Sequence, residues 1–189
     1  MLNRVENSHI FEREAHNHYC EPTWVPRRLF EVEKFTGNIC DPCCGFGRIP
    51  LAARAAGYEA IGCDLVDRGF AYYNVADFLL TGMRADNFVF NPPFEAGDAF
   101  ALHALKLAEH KVVMVYPTRR LNAAHWIQGT PLYRIWYLTP RPSMPPGPVA
   151  LEYEAKGRDP SGGKQDFCIL VWLKGYDGEP SVRWLRRDA

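Results

Sequence analysis

A short apolar run, a glycine turn, a helical stripe and a second apolar run that stops on an acid constrain this chain more than any other feature. Asn38 to Asp41 reads as a strand and runs into Asp41-Pro42-Cys43-Cys44-Gly45-Phe46-Gly47. Ile49, Ala52, Ala53 and Ala56 then mark one helical face, and Gly57 ends it. Tyr58 to Cys63 is the next strand and stops on Asp64. Glycines in such a turn let backbone approach a ligand closely, and the helix N-terminus behind them favours anionic groups. An acid ending the second strand of such a unit commonly accepts from ribose hydroxyls. A lone Gly-x-Gly says little. One that follows a strand, with Asp64 closing the next strand, is a nucleotide-binding arrangement.

The pattern continues on both sides. Thr23 is a good N-cap residue and Pro26 is tolerated in a first turn, and Val25, Leu29 and Val32 share one face, so a helix is expected from about Trp24 to Phe35. Tyr72 to Ala76 is a third strand candidate, leading into Asp77-Phe78. Asp77 has two readings: an acceptor for an adenine amino group, with Phe78 against the ring, or a turn cap. Asp86 to Phe90 is a fourth strand. Ala101, Ala104, Leu105 and Ala108 form the buried stripe of a helix that carries His103 and His110, both read as surface or boundary residues. Lys111 to Tyr116 is nearly all apolar, as suits a central parallel strand. Thr118 to Gln128 reads as a helix stopped by Gly129-Thr130-Pro131. Tyr133 to Thr139 and Asp166 to Leu173 are two further strands, and Val182 to Leu185 a short edge strand.

These βαβ repeats followed by a hairpin imply an α/β fold. It would be a doubly wound, mostly parallel sheet with a C-terminal antiparallel hairpin. The 189 residues suit a single domain. Residues 1–20, with His9, His16 and His18, read as a solvated N-terminal arm. Residues 140–165 are rich in Pro and Gly and read either as a disordered surface loop or as a substrate-facing flap. Lys+Arg and Asp+Glu are both 22, so any attraction for nucleic acid must come from a local patch. Arg141, Arg158 and Lys164, with Arg119 and Arg120 after the fifth strand, are the candidates. No apolar run approaches a membrane span and Met1 to Glu14 is polar, so a cytoplasmic protein is expected. Cys40-x-x-Cys43 resembles half a zinc site, but no second pair follows at ligand spacing, and no metal is expected.

Asn91-Pro92-Pro93-Phe94 lies at the end of the fourth strand. An Asn amide oxygen accepts a hydrogen bond and cannot ionise. Proline has no N–H, so Pro92 and Pro93 offer carbonyls with no donor beside them, and the residue before a proline is held extended. Phe94 adds a flat face. Two acceptors and a flat face suit a planar ring with an exocyclic NH₂. Such an amine is a poor nucleophile because its lone pair is delocalised. If Asn91 and the Pro92 carbonyl accept its two N–H bonds, the lone pair is localised and can be aimed at an electrophile.

With these residues in view, Asp41 to Gly47 resembles the cofactor motif of class I S-adenosylmethionine-dependent methyltransferases. Asn91 to Phe94 resembles the catalytic motif of amino-methyltransferases, above all adenine-N6 DNA methyltransferases. The chain from about Tyr19 to Trp184 looks like the compact phage- and prophage-type enzymes. The resemblance implies a Rossmann-like fold with S-adenosyl-L-methionine as cofactor. It implies that Asp41, Cys43, Gly45 and Gly47 line the methionine end, that Asp64 takes the ribose, and that Asp77 and Phe78 take the adenine. Thr23 and Trp24, at the element that precedes the cofactor motif, complete the implied cofactor set with Pro42, Leu65 and Asn91. Asn91, Pro92, Pro93 and Phe94 would hold the target amine. Typical DNA-modifying relatives carry a sizeable target-recognition domain. This chain has room only between Thr139 and Asp166, which implies a short or relaxed DNA target, or help from a partner or homodimer. Similar motifs resemble those of RNA amino-methyltransferases and protein-glutamine methyltransferases. A non-catalytic cofactor- or DNA-binding module would keep the same residues.

Overall fold

Alternate residues of five adjacent strands feed two separate apolar layers, so the sheet must be covered on both faces. In the computed structural model, which describes residues 18–70 and 73–188, that is the arrangement found. The elements run α1 (Trp24–Val32), β1 (Ile39–Asp41), α2 (Arg48–Ala55), β2 (Ala60–Asp64), β3 (Tyr73–Val75), β4 (Ala85–Phe90), α3 (Gly97–Leu107), β5 (Ala108–Pro117), β6 (Leu132–Thr139), α4 (Gly147–Ala155), β7 (Phe167–Leu173) and β8 (Ser181–Arg186). The sheet order is β3-β2-β1-β4-β5-β7-β6-β8. The first five strands are parallel; β7 runs antiparallel between β5 and β6, and β8 is parallel to β6 at the edge.

Residues of β4, β5 and β7 alternate between the layers. Val89, Val113, Val115, Ile169 and Val171 face Val25, Leu29 and Phe30 of α1 and Ile49 and Ala53 of α2. Phe88, Phe90, Val112, Met114, Leu170 and Trp172 face Phe100, Ala101 and Ala104 of α3. Burial on both faces explains the near-continuous apolar runs of β5 and β7. A buried ion cluster pins α1 to the far half of the sheet. Glu33, at the end of α1, accepts from Lys111 of β5 at 3.0 Å, Arg134 of β6 at 2.6 Å and the Trp136 indole at 2.9 Å. Burial raises the Glu33 carboxyl, and these three donors together outweigh it and hold it below its ordinary range.

Several local expectations give way. Thr23 makes no capping bond with its side chain, and α1 stops at Val32. His110 lies in β5, not on α3, and its Nδ1 pairs with the Asn87 amide oxygen. Thr118 to Gln128 is not an α-helix but two 3₁₀ turns, Thr118–Ala123 and His125–Ile127, with no fully buried residue to anchor an amphipathic face. The 140–165 segment is not a bare loop: it contains α4, with Gly147 and Ala150 buried. Of the N-terminal arm, His9 and His16 lie outside the described residues. His18, Tyr19 and Cys20 are not a solvated tail. They pack against the start of α4 through a Tyr19–Pro146 bridge and bonds from Cys20 N to Pro145 O and from Gly147 N to His18 O.

Candidate functional site

The strand order reverses between β1 and β4, because the chain leaves β1 towards β2 and β3 and returns to place β4 on the other side. Loops at the carboxyl ends of two such strands diverge and leave a crevice. Asp41 ends β1 and Asn91 follows β4, so both stand at this crevice. A cavity of about 260 Å³ opens there, far more than one water needs.

The glycine turn forms its floor. Asp41, buried behind it, accepts from Cys43 N at 3.1 Å. Gly45 has φ +52, and a Cβ there would stand 2.6 Å from His18 Nε2, so only glycine lets the turn pass under that ring. Asp64 accepts from Gly45 N at 2.8 Å and from Val66 N at 3.0 Å. Its carboxylate thus shapes the turn as well as facing the cavity, with lone pairs to spare for a further donor.

Of the residues expected at the site, Asp41, Pro42, Cys43 and Gly45 line the cavity from the turn, Asp64 and Leu65 from β2, Asp77 and Phe78 beyond β3, and Asn91 and Pro93 from β4. Asp77 accepts from Leu79 N at 3.0 Å and caps the short 3₁₀ turn Phe78–Leu80. The Phe78 ring is only 1% exposed and packs on Phe88, Phe100 and His103. Gly47, Pro92 and Phe94 stand back from the wall. Gly47 (φ +79) starts α2 against Phe70. Thr23 is exposed, and Trp24 belongs to the core beneath.

Their place at the wall is taken by the preceding residues, His18, Tyr19, Cys20 and Glu21. Neither a motif nor a periodicity marks these four. The Asn91 amide nitrogen donates to Tyr19 O at 3.0 Å and to Glu21 Oε2 at 2.8 Å. Asn91 Oδ1 is buried and has no partner among the described residues. His18 Nδ1 and Arg68 Nε, both from residues of the cavity wall, are buried and unpaired in the same way. Arg48 of α2 donates to Glu21 O at 2.5 Å and to Glu154 of α4 at 2.6 Å, tying three segments together.

Burial and the nearby Arg68 lower the His18 imidazole to about 4, so it is neutral at pH 7. Burial raises the carboxyls of Glu21 and Asp41 and pushes the Cys20 thiol up to about 12. With Asp64, the Glu21 and Asp41 carboxyls make an acidic wall that suits a ligand bringing positive charge.

The basic candidates do not form one patch. Arg119 and Lys164 line a shared groove with Thr118, Tyr137 and Asp166. Arg120 turns inward and donates to the Phe94 carbonyl. Arg141 is paired with Asp166 through two bonds. Arg158 is exposed just past α4.

No protein-family model matches the sequence, and no curated protein matches it. Solved structures match the fold. The M protein of the type I restriction enzyme EcoKI is 14% identical with a TM-score of 0.61, over 89% of this chain and 48% of that one. The magnesium protoporphyrin IX methyltransferase of Synechocystis PCC 6803, solved with S-adenosylmethionine bound, is 15% identical with a TM-score of 0.51, over 78% of this chain and 74% of that one. A structure from Pyrococcus horikoshii described as an RNA methyltransferase candidate is 16% identical with a TM-score of 0.52, over 80% of this chain and 79% of that one. Strand order, switch point and these likenesses agree: the chain has the fold of the class I S-adenosylmethionine-dependent methyltransferases.

Proposed function

We propose that this chain transfers a methyl group from S-adenosylmethionine to the exocyclic amine of adenine in DNA. The observation that carries the reading is the Asn91 amide. Its N–H groups are both used, its oxygen is buried and unpartnered, and it stands at the crevice wall beside three carboxylates. A buried unpaired acceptor costs roughly 1–3 kcal/mol, so its retention at a cavity argues for a ligand donor. No described residue offers that donor.

The cavity fits the cofactor by its own chemistry. Asp64, at the end of β2, has acceptor capacity left for ribose hydroxyls. The Gly45 turn allows close approach. The acidic wall of Glu21, Asp41 and Asp64 complements a ligand carrying sulfonium and ammonium charges. When bound, S-adenosylmethionine supplies an electrophilic methyl whose bond to sulfur breaks as the bond to the target nitrogen forms, the electron pair leaving on sulfur.

The chain's part is orientation and electrostatics. Asn91 Oδ1 accepts one N–H of the amine. The Pro92 carbonyl, which no donor claims among the described residues, accepts the other. Two accepted bonds turn the nitrogen lone pair out of the ring plane and towards the methyl. No base is needed first, because the nitrogen becomes cationic and acidic as the bond forms and then loses its proton to water, and a neutral His18 is no obstacle. In duplex DNA the base must be flipped out, at a cost of a few kcal/mol. The 140–165 segment, with α4 inside it, is read as the substrate-facing flap of a single methyltransferase domain.

The choice of adenine in DNA rests on the resemblance of Asn91-Pro92-Pro93-Phe94. Purified protein, labelled cofactor and DNA of mixed sequence should yield N6-methyladenine in digested nucleosides. Label found only in RNA or in a protein glutamine would reject the substrate while leaving the cofactor reading intact.

A further inference from the structure

We propose that the strap His18–Glu21 forms half of the target-amine subsite: Glu21 is the positioning residue for the Asn91 amide, and Tyr19 supplies the ring against which the target base lies. This rests on the reading of the cavity as a methyl-transfer site and adds to it residues that no motif marks.

The orientation of an Asn side chain is decided by its neighbours. Both partners of Asn91 Nδ2, the Tyr19 carbonyl at 3.0 Å and Glu21 Oε2 at 2.8 Å, are acceptors. Turning the amide over would press Oδ1 against two oxygens and present N–H groups to the incoming amine. The strap therefore fixes which end of the amide meets the substrate. Glu21 is itself held, 7% exposed, with Arg48 on its carbonyl and Glu154 behind Arg48. A carboxylate that accepts from an amide N–H draws electron density through the amide onto its oxygen. Asn91 Oδ1 becomes a stronger acceptor, and the adjacent negative charge favours the positive charge that develops on the attacked nitrogen.

The aromatic surface follows the same segment. The Phe94 ring lies between Tyr19, at 5.7 Å between centroids and 13° between planes, and Phe167, at 5.5 Å and 43°. Rings this close are in direct contact and admit no base between them. Of the three, Tyr19 alone is at the cavity wall. Phe94 backs Tyr19, and Tyr19 offers its outer face to the base.

The test uses the whole chain with cofactor and a single-stranded adenine-containing oligonucleotide. It compares Glu21→Gln, Glu21→Leu, Tyr19→Phe and Tyr19→Leu with wild type, each first shown to unfold cooperatively. Glu21→Leu should lower kcat about 100-fold, the scale of a misplaced catalytic group, with cofactor affinity little changed. Glu21→Gln, which keeps an acceptor, should recover part of that loss. Burial raises the Glu21 carboxyl, with Arg48 from α2, Asp41 from β1 and the Cys20 thiol facing it. Wild type should lose rate as pH falls through that raised value, and Glu21→Gln should lack this acid limb. Tyr19→Leu should raise KM for the oligonucleotide about tenfold, the scale of one lost base stack, and Tyr19→Phe should restore most of it.

A readout independent of turnover is the Asn91 side-chain NH₂ resonance, assigned by its loss in Asn91→Ala. It should shift with pH in wild type and not in Glu21→Gln. A resonance indifferent to pH, with kcat unchanged in Glu21→Leu, would overturn the positioning role. KM unchanged in Tyr19→Leu but raised in Phe94→Leu would return the ring to Phe94. If wild type methylates no nucleic acid, the functional reading fails, while the resonance still decides how Asn91 is held.

Discussion

Under the proposed function, Asn91 acts through what stands behind it. Asn91→Ala should leave cofactor affinity within a few-fold by calorimetry and lower the methylation rate about 10²- to 10³-fold, the usual effect of deleting one preorganised polar contact to a transition state. Near-full activity would remove Asn91 from the mechanism. Asp64 has a double duty, holding Gly45 N and Val66 N while facing the cavity. Asp64→Ala should weaken cofactor binding about ten- to hundredfold, as expected for charged hydrogen bonds. Unchanged affinity would show that its bonds serve the turn alone. The positions of Asp41, Asp64 and Asn91 at strand ends were legible because each closes an apolar run, and Gly45 because it falls in the glycine turn that follows the first of them. Glu21 was not legible, because its meaning lies in a partner 70 residues away. Tyr19 was hidden for the same reason, its ring and its carbonyl both serving the loop after β4.

Among the elements, the parallel strands and α1, α2 and α3 could be read from periodicity because each has an apolar face to bury. The segments that could not be read lack one. α4 begins at Gly147-Pro148 after two prolines, a sequence that signals loop, although proline fits a first helical turn. Only Gly147 and Ala150 of it are buried, so no stripe announces it. The Thr118–Ile127 stretch buries only Ala124, between its two 3₁₀ turns, and so has no apolar stripe to form a helix on. Glu33 shows how elements are locked together. Glu33→Ala would leave Lys111 and Arg134 facing each other in the interior without their acid. It should cost about 3–5 kcal/mol in urea unfolding, whereas Glu33→Gln, which keeps the shape and some acceptor capacity, should cost less. A loss below about 1 kcal/mol, no more than an exposed pair is worth, would mean that water reaches the cluster.

At the scale of the whole molecule, the sheet sorts chemistry to one edge. The carboxyl ends of β1, β2 and β4 carry the cavity, and the groove of Arg119 and Lys164 lies further along that edge, beyond β5. In a chain with no net charge, these two cations should matter more than Arg141, which Asp166 already neutralises. Replacing Arg119 and Lys164 by Gln should flatten the salt dependence of nucleic-acid binding by about two in slope, and Arg141→Gln should change it less. Equal slopes in all three proteins would place the phosphate contacts elsewhere. The clamp between residues 18–20 and 145–147 also sets an order of assembly. A growing chain emerging from the ribosome can complete β1 to β5, and with them the glycine turn and Asn91, while the far side of the clamp is still unmade. Until Gly147 arrives, the strap has only its contacts with Arg48, Asn91 and Phe94 to hold it. The strap and the cavity it walls therefore reach their final form together, late in synthesis.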